Sequence, residues 1–195
     1  MHFAEAREIF PVRITGGELA GRKIDVPRRE EVRPTADRVR ESLFARLGPL
    51  PGGRVLDLFA GSGALGIEAL SRGAAEAVFV DRAAGCAARI RANLEALGLA
   101  ERAQVLRSPV RSALPRLAAW DRPFDLVLLD PPYATDEASR VLPLLASPRL
   151  VNPGAVLVLE THRRHDPGPV EGLRRIDERR YGDTLIARYQ TEGAP

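Results

Sequence analysis

A carboxylate, two prolines and an aromatic residue follow one another directly after an apolar run. The segment is Asp130-Pro131-Pro132-Tyr133, and the run before it is 126–129. The carboxylate of Asp130 and the backbone carbonyl of Pro131 are acceptors, whereas an exocyclic NH2 group has two hydrogens to donate. Tyr133 offers a ring face for stacking, and two prolines stiffen the loop. The segment predicts a site that holds a flat nucleobase by its amino group, although an ordinary turn uses the same residues.

A second candidate site is a glycine-rich turn between a short apolar run and a helical pattern. The run 54–59 predicts a strand, and the turn after it contains Gly61-Ser62-Gly63 and Gly66. Glycines let the backbone approach a ligand closely, and a helix start offers unpaired N–H groups. Asp81 closes the next apolar run, at the distance where an acidic residue contacts ribose hydroxyls. This pattern predicts a nucleoside-binding half of a Rossmann-like fold.

Two kinds of nucleoside ligand are compatible with this loop. The spacing of Gly61, Gly63 and Gly66 also satisfies the dinucleotide fingerprint, which is a weak signal on its own. Asp57 precedes the loop, however, and its negative charge would face a pyrophosphate. S-adenosylmethionine has no phosphate and carries a sulfonium and an ammonium, both of which a carboxylate attracts. The residues therefore favour a methyl donor over a dinucleotide.

The elements that must position these residues alternate along the chain. Residues 12–26 predict an N-terminal hairpin, and a helix is predicted from Thr35, as N-cap, to Leu47. From Arg54 onward, strands and helices follow in turn, and the chain ends in a predicted hairpin. The later strands are predicted at 54–59, 77–80, 103–106, 124–129, 155–160, 173–181 and 184–189, and the later helices at 64–70, 83–97, 110–119 with an interruption at Pro115, and 135–146.

This order predicts an α/β fold with a mostly parallel sheet and helices on both faces. Asp57, Asp81 and Asp130 all lie at the carboxyl ends of predicted strands, where ligands of a parallel sheet bind, so one cleft could contain them. The proline- and glycine-rich stretch 48–53 divides an extension, residues 1–50, from a ligand-binding domain, residues 51–195.

Composition is that of a small globular enzyme. The 195 residues are 45% hydrophobic and 28% charged, which excludes a disordered chain. We expect no membrane span, because no apolar run is long enough. Cys86 is the one cysteine, so an internal disulfide and a cysteine metal cluster are excluded, and a small buried residue is expected there. His162 and His165 are predicted surface residues, Trp120 a packing residue and Asn93 a surface polar residue.

Arginine supplies almost all of the positive charge. Lys23 is the sole lysine among 29 basic residues, and the net charge is +3. Arginine pairs with phosphate bidentately, which fits a nucleic-acid partner, but a GC-rich genome produces the same bias. Two clusters are the informative feature, and a continuous basic surface is a hypothesis for the fold to test. They comprise Arg22, Lys23, Arg28, Arg29 and Arg33 near the N-terminus, and Arg163, Arg164, Arg174, Arg175, Arg179 and Arg180 near the C-terminus.

The sequence resembles a known enzyme family over most of its length. Residues 57–63 and 130–133 resemble the cofactor and catalytic motifs of class I S-adenosylmethionine-dependent amino-methyltransferases. Four further segments resemble the bacterial small-subunit (16S) ribosomal RNA guanine-N2 methyltransferases, and the third is the most specific. These are Arg13-Ile14-Thr15-Gly16-Gly17, Gly21-Arg22, Arg33-Pro34-Thr35-Ala36-Asp37-Arg38-Val39-Arg40-Glu41-Ser42-Leu43-Phe44 and Tyr181-Gly182-Asp183-Thr184.

The resemblance implies a seven-stranded Rossmann-like sheet, a methyl group transferred from S-adenosylmethionine to a guanine amine, and no metal. It implies that residues 130–133 are catalytic and that Arg22, Arg33, Thr35 and Arg38 contact RNA, the helix at 35–47 acting as a lid. It also implies donor contacts for Asp57, Phe59, Ala60, Gly61, Ser62, Gly63, Asp81, Arg82, Ser108 and Pro109. Serine at position 108 departs from the acidic or amide residue common in the family, which leaves the adenine contact open.

The expected partner is small-subunit ribosomal RNA, alone or in an assembling particle, and the expected enzyme is a cytoplasmic monomer. Two alternatives remain open. Asp-Pro-Pro-Tyr does not distinguish guanine N2 from adenine N6 or cytosine N4, so those amines in DNA or RNA are possible acceptors. A non-enzymatic RNA-binding module is the other alternative, and an intact Asp130 argues against it.

Overall fold

The computed structural model describes residues 9–27, 34–132 and 135–191. Nine strands and five α-helices lie in these ranges, joined by turns and three short 3-10 helices. The elements are β1 Ile9–Arg13, β2 Lys23–Pro27, α1 Pro34–Leu47, β3 Arg54–Leu58, α2 Ala64–Ser71, β4 Glu76–Asp81, α3 Ala84–Leu97, β5 Ala103–Arg107, α4 Val110–Ala118, β6 Phe124–Leu129, α5 Glu137–Val141, β7 Val151–His162, β8 Leu173–Tyr181 and β9 Thr184–Thr191.

Seven strands form one mixed sheet in the order β5-β4-β3-β6-β7-β9-β8, and β1 and β2 form a separate antiparallel pair. The first five strands of that order are parallel, whereas β9 is antiparallel to β7 and to β8. The predicted α/β fold is confirmed. The chain leaves β3 towards β4 on one side and returns at β6 on the other, so the carboxyl ends of β3 and β6 flank a crevice where such sheets bind ligands.

Apolar residues fill both faces of the sheet. On one face α4 and α5 cover the strands, and Leu114 and Leu142 belong to the same apolar core as Val127 of β6 and Leu157 of β7. On the other face α1, α2, α3 and the β1–β2 hairpin share a second core, in which Phe44 of α1 is fully buried. The N-terminal extension therefore packs directly on the sheet.

A buried carboxylate attaches the hairpin to α2. Glu68 is fully buried and accepts hydrogen bonds from the Thr15 backbone N–H at 2.8 Å and from the Thr15 hydroxyl at 2.7 Å. Arg72 donates to it at 2.8 Å, and Arg40 of α1 lies 3.5 Å away. Because a buried carboxylate needs charged or polar partners, these contacts fix three segments of the chain to one another.

Some predicted boundaries were wrong. α1 begins at Pro34, whose fixed φ suits the first helical position, so Thr35 lies in the first turn instead of at the N-cap. Pro115 does not interrupt α4, which runs from Val110 to Ala118 with Leu114 and Leu117 buried and Pro115 exposed. The predicted helix after position 135 is instead α5 followed by a 3-10 helix, Leu142–Ala146. The strand predicted at 155–160 extends to Val151–His162.

Among the residues that the structure describes, no helix is both long and apolar enough to cross a membrane.

Candidate active site

A cleft of about 1040 Å³ lies at the carboxyl ends of the parallel strands. It combines the end of β3, the end of β4, the start of α4 and the segment after β6. Asp81 and Asp130 both face it, so the structure brings the two predicted sites together. The lining residues are Phe59, Asp81, Arg82, Ala83, Cys86, Pro109, Val110, Arg111, Ser112, Asp130, Pro132, Thr135, Glu137 and Leu144.

The glycine-rich loop has the shape that its sequence predicts. Phe59 and Gly61 both have positive φ, of 60° and 57°, and the Ala60 N–H donates to the Val80 carbonyl at 3.1 Å. A Cβ atom on Gly66 would lie 2.3 Å from the Phe79 ring, so only glycine lets α2 pack this close to β4. The loop therefore turns sharply at the end of β3 and leads into α2.

Asp57 lies beneath this loop and does not line the cleft. Its carboxylate is buried and accepts a hydrogen bond from the Gly66 N–H at 2.9 Å. Burial raises the pKa of Asp57 to about 8, against the opposing effect of that hydrogen bond. At pH 7 the carboxyl group is thus mostly protonated. The choice of a methyl donor therefore cannot be based on a charge at Asp57.

Asp81 holds the loop and faces the cleft at the same time. Its Oδ2 accepts from the Gly61 N–H at 2.9 Å, and its Oδ1 accepts from the Ala83 N–H at 2.8 Å. Each carboxylate oxygen can accept a further hydrogen bond, so ribose hydroxyls could bind there. Arg82 is exposed beside it and also lines the cleft.

The segment predicted to contact adenine lies on the neighbouring wall. Ser108 is buried; its N–H donates to the Asp81 carbonyl at 3.0 Å, and its hydroxyl donates to the Pro109 carbonyl at 3.1 Å. Pro109 and Val110 line the cleft, whereas Ser108 does not. Ser108 therefore supports the wall from behind, and apolar surface of its two successors faces the ligand space.

The predicted catalytic segment begins next to the end of β3. The Asp130 N–H donates to the Leu58 carbonyl at 3.4 Å, and the side chain is half-buried at the cleft. Pro131 is buried and Pro132 exposed. The Pro132 carbonyl accepts from both the backbone and the hydroxyl of Thr135, at 3.2 and 2.9 Å, which closes the turn. Tyr133 lies outside the described residues.

The predicted RNA-binding residues lie in different places. Arg22 donates to the Ala96 carbonyl at 3.1 Å, in the last turn of α3. Because α3 begins at the cleft and runs away from it, Arg22 lies near the opposite, amino-terminal ends of the parallel strands. Arg38 is exposed in the first half of α1. Arg33 and the side chain of Thr35 lie outside the described residues.

Two residues near the site were misjudged from the sequence. Cys86 was expected to be buried, but it is half-buried and lines the cleft. Asn93 was expected at the surface, but it is 5% exposed and contacts the Ser62 carbonyl of the glycine loop at 3.1 Å. Neither position carries a local signal, since both depend on how α3 is turned against the loop. Trp120 packs against the core as expected.

Leu144 and Glu137 were also missed. Both line the cleft opposite Arg111 and Ser112 of α4, and Leu144 is 45% exposed. Their place depends on the break between α5 and the 3-10 helix, which helical periodicity does not reveal. Among the described residues, no group of three or more His, Cys, Asp or Glu side chains could hold a metal ion.

A family model described as "Conserved hypothetical protein 95" matches residues 12–190. The chain belongs to this family. It is 38% identical over 184 residues to the putative rRNA methyltransferase YlbH of Bacillus subtilis, a match that covers 93% of this chain and all of the relative. It is also 38% identical over 182 residues to the ribosomal RNA small subunit methyltransferase D of Haemophilus influenzae, covering 92% and 93% of the two chains.

Solved structures agree with the family assignment. A putative methyltransferase, yhhF, from Escherichia coli superposes with a TM-score of 0.83 at 32% identity, over 95% of this chain and all of that one. A putative methylase from Haemophilus influenzae has a TM-score of 0.75 at 31% identity, over 94% and 99% of the two chains. The resemblance inferred from the motifs is confirmed, and the fold is that of the class I methyltransferases.

Proposed function

We propose that this methyltransferase transfers a methyl group from S-adenosylmethionine to the exocyclic N2 amine of a guanine in small-subunit ribosomal RNA. The observation that carries the proposal is the shared cleft of Asp81 and Asp130, an acidic ribose site and a base-holding carboxylate in one cavity. The names of the relatives, which include a small-subunit RNA methyltransferase of near full-length similarity, support the RNA substrate.

The residues at the cleft fit each part of S-adenosylmethionine. Asp81 would accept from the ribose hydroxyls, the Phe59 to Gly63 loop would receive the methionine portion, and Pro109 with Val110 would pack against adenine. The glycine loop supports this fit, since Gly61 has no side chain and a φ of 57°, so the loop backbone can approach a ligand closely. When bound, this donor supplies a methyl group activated by a positively charged sulfur.

Asp130 would orient the accepting amine. The lone pair of guanine N2 is delocalised into the ring, so the nitrogen is a poor nucleophile. Hydrogen bonds from the NH2 group to the Asp130 carboxylate and the Pro131 carbonyl would position its hydrogens and favour a pyramidal nitrogen. Asp130 would also stabilise the positive charge that develops on nitrogen, and the surplus proton leaves to it or to water. Tyr133 would stack on a base turned out of its helix.

The partner in this proposal is ribosomal RNA, alone or within an assembling particle, and the enzyme acts as a monomer in the cytoplasm. Arg33, Thr35 and Arg38 are the proposed RNA contacts, and α1 is the proposed lid. Residues 1–50 are the proposed extension and residues 51–195 the proposed catalytic domain.

Product analysis tests the proposal. Small-subunit RNA and intact subunits from a strain that lacks this gene would be incubated with the protein and methyl-labelled donor, then digested to nucleosides. We expect the label in N2-methylguanosine. Label in N6-methyladenosine or N4-methylcytosine would replace guanine by the other amines that the segment can hold. No transfer to any of these substrates would overturn the enzymatic proposal.

A further inference from the structure

The fold divides the arginines of the C-terminal cluster into neutralised and available groups. Arg163 pairs with Asp183 at 3.0 Å, and Arg180 pairs with Glu178 at 3.1 Å. Arg175 pairs with Asp166 and with Glu178. The cluster is therefore not one basic surface, because carboxylates pair with three of its arginines.

Two arginines from two elements contact a single carboxylate on the α1 side of the sheet, and a third arginine lies on the same face. Asp177 of β8 pairs with Arg46 of α1, and Arg188 of β9 lies 3.9 Å from the same oxygen. Arg179 lies two residues beyond Asp177 on the same face of β8. Among the described residues, no carboxylate oxygen lies within 4.0 Å of Arg179, which is exposed. We call Arg46, Arg179 and Arg188 the arginine surface.

The positive charges on the arginine surface exceed what Asp177 can balance. Arg46 and Arg188 share the Asp177 carboxylate, Arg179 adds a third positive charge on the same face, and Glu160, which is half-buried on β7, lies on the far side of Ile186 from Arg179. Partial burial, followed by the like charges of Arg179 and Arg188, lowers the pKa of Arg46. The Arg188 Nε atom is buried without a hydrogen-bond partner. An added anion would relieve this repulsion.

Arg38 of α1 lies between the arginine surface and the carboxyl ends of the parallel strands, where the cleft is. Ser42 of α1 contacts the Tyr181 hydroxyl at 3.0 Å, one helical turn from Arg46, and Arg38 lies a further turn along the same face. The pairing of His162 with Thr184 places the β8–β9 turn at the carboxyl ends of the parallel strands. Arg38 and Arg46 are thus about 12 Å apart along α1. That length corresponds to about three or four nucleotide steps of a stacked strand, at about 3.4 Å each.

We propose that the arginine surface binds the phosphate backbone of the substrate RNA beside the cleft. Guanidinium groups bind phosphate bidentately, and their spread along α1 and β8 fits a strand rather than a single ion. The surface positions RNA and does not read its sequence. This inference rests on the proposed RNA substrate.

Charge substitution at Arg179 tests the arginine surface. Arg179→Gln should weaken the binding of deproteinised small-subunit ribosomal RNA about threefold, and Arg179→Glu about tenfold. The slope of log affinity against log salt should fall by about 0.7 to 0.9 for each phosphate that the variant no longer neutralises. Arg179→Lys should retain most of the slope. S-adenosylhomocysteine affinity by calorimetry and the unfolding midpoint should stay at wild-type values, since Arg179 is exposed.

The matched controls are Arg116→Gln and Arg116→Glu, which change the same charge on exposed α4, on the opposite face of the sheet. If Arg179→Glu binds the RNA as tightly as Arg116→Glu, the inference is overturned. A loss seen with subunit particles but not with deproteinised RNA would assign the surface to a ribosomal protein and also overturn it. If the wild-type protein labels another amine while Arg179→Glu still weakens RNA binding, the surface stands and the proposed guanine specificity fails.

Discussion

Asp57 lies one residue before the end of β3 and Asp130 directly follows the neighbouring strand β6, yet their surroundings give these carboxylates opposite properties. Asp130 is half-buried at the cleft, where it can reach a ligand. Asp57 is enclosed beneath the glycine loop, where its carboxyl group accepts a hydrogen bond from Gly66 and has a raised pKa. One carboxylate is therefore placed for the proposed chemistry, and the other holds the loop.

Replacing Asp130 by asparagine should abolish most methyl transfer. The amide keeps the size of the side chain but replaces one acceptor oxygen by a donor, so it cannot stabilise a positive nitrogen. We expect the rate at saturating RNA to fall about 100-fold or more, while S-adenosylhomocysteine affinity stays within about twofold. The measurement is single-turnover methyl transfer. Asp121→Asn, at an exposed turn, is the control, and wild-type rates for Asp130→Asn would refute the catalytic assignment.

Asp57 should make the stability of the ligand-free protein fall as pH rises. Its folded pKa, about 8, is above the unfolded value of 3.8, so the folded state binds more protons between these values. The free energy of unfolding attributable to Asp57 is therefore highest below about pH 4 and declines as pH rises through 8. Asp57→Asn removes this dependence and keeps an acceptor for the Gly66 N–H.

Urea unfolding of the wild type and Asp57→Asn between pH 5 and 8.5 measures the effect. The wild type should lose stability relative to the variant across this range, and Asp121→Asn should follow the wild type. Parallel curves for the wild type and Asp57→Asn would show that Asp57 is ionised throughout. The folded pKa would then be lower than its burial indicates.

At the scale of elements, the strands and most helices follow from local patterns, whereas their contacts do not. The apolar runs before Asp81 and Asp130 identify β4 and β6, because buried parallel strands are continuous apolar segments. Asn93 shows the limit of this approach. Its burial depends on Asp25 and Ser62, which are 68 and 31 residues away along the chain, so no pattern within α3 reveals it.

Asn93 connects three elements with one amide. Its Oδ1 accepts from the Asp25 N–H at 3.0 Å, and its Nδ2 donates to the Asp25 and Ser62 carbonyls at 3.0 and 3.1 Å. α3 thereby holds both β2 and the glycine loop. Since Ser62 lies in the loop predicted to receive the donor, Asn93 is expected to position that loop.

Asn93→Leu should loosen the donor loop. Leucine has a similar size but leaves three backbone groups without partners, so we expect a loss of about 2 kcal/mol in the free energy of unfolding. S-adenosylhomocysteine affinity should fall about tenfold by calorimetry, which corresponds to about 1.4 kcal/mol. Asn152→Leu removes an amide contact to Asp125 at the starts of β6 and β7, away from the cleft. It should leave S-adenosylhomocysteine affinity unchanged. Equal donor affinity in the two variants would exclude a positioning role for Asn93.

At the scale of the whole molecule, the extension and the sheet share one core. Glu68 joins Thr15 of the hairpin segment, Arg40 of α1 and Arg72, so two segments that resemble the family motifs meet at one buried carboxylate. The resemblance identified these segments, but their common function in docking follows only from the fold. The division at residue 50 stays a prediction, and the shared core indicates that the two parts unfold together.

Gly17 provides a test of that cooperation. A Cβ atom there would lie 1.8 Å from the Ser71 carbonyl oxygen, and its φ is +80°. Gly17→Ala should therefore displace the hairpin from α2 and lower the free energy of unfolding by about 3 kcal/mol or more, from overpacking together with left-handed strain. Gly21→Ala is the matched control, because Gly21 has φ +83° but a Cβ atom there would meet nothing within 4 Å. It should cost only about 1–2 kcal/mol.

Trp120 reports on the opposite face of the sheet, where it packs against the core beside α4. If the molecule unfolds as one unit, Gly17→Ala should shift the Trp120 fluorescence transition in urea to the same extent as the far-ultraviolet circular dichroism transition. Gly21→Ala should shift both by less. An unmoved Trp120 transition, together with faster proteolysis within residues 1–50, would mean that the extension unfolds separately. In that case the Glu68 contacts attach two units that unfold independently, and the boundary predicted from the proline- and glycine-rich stretch separates two domains.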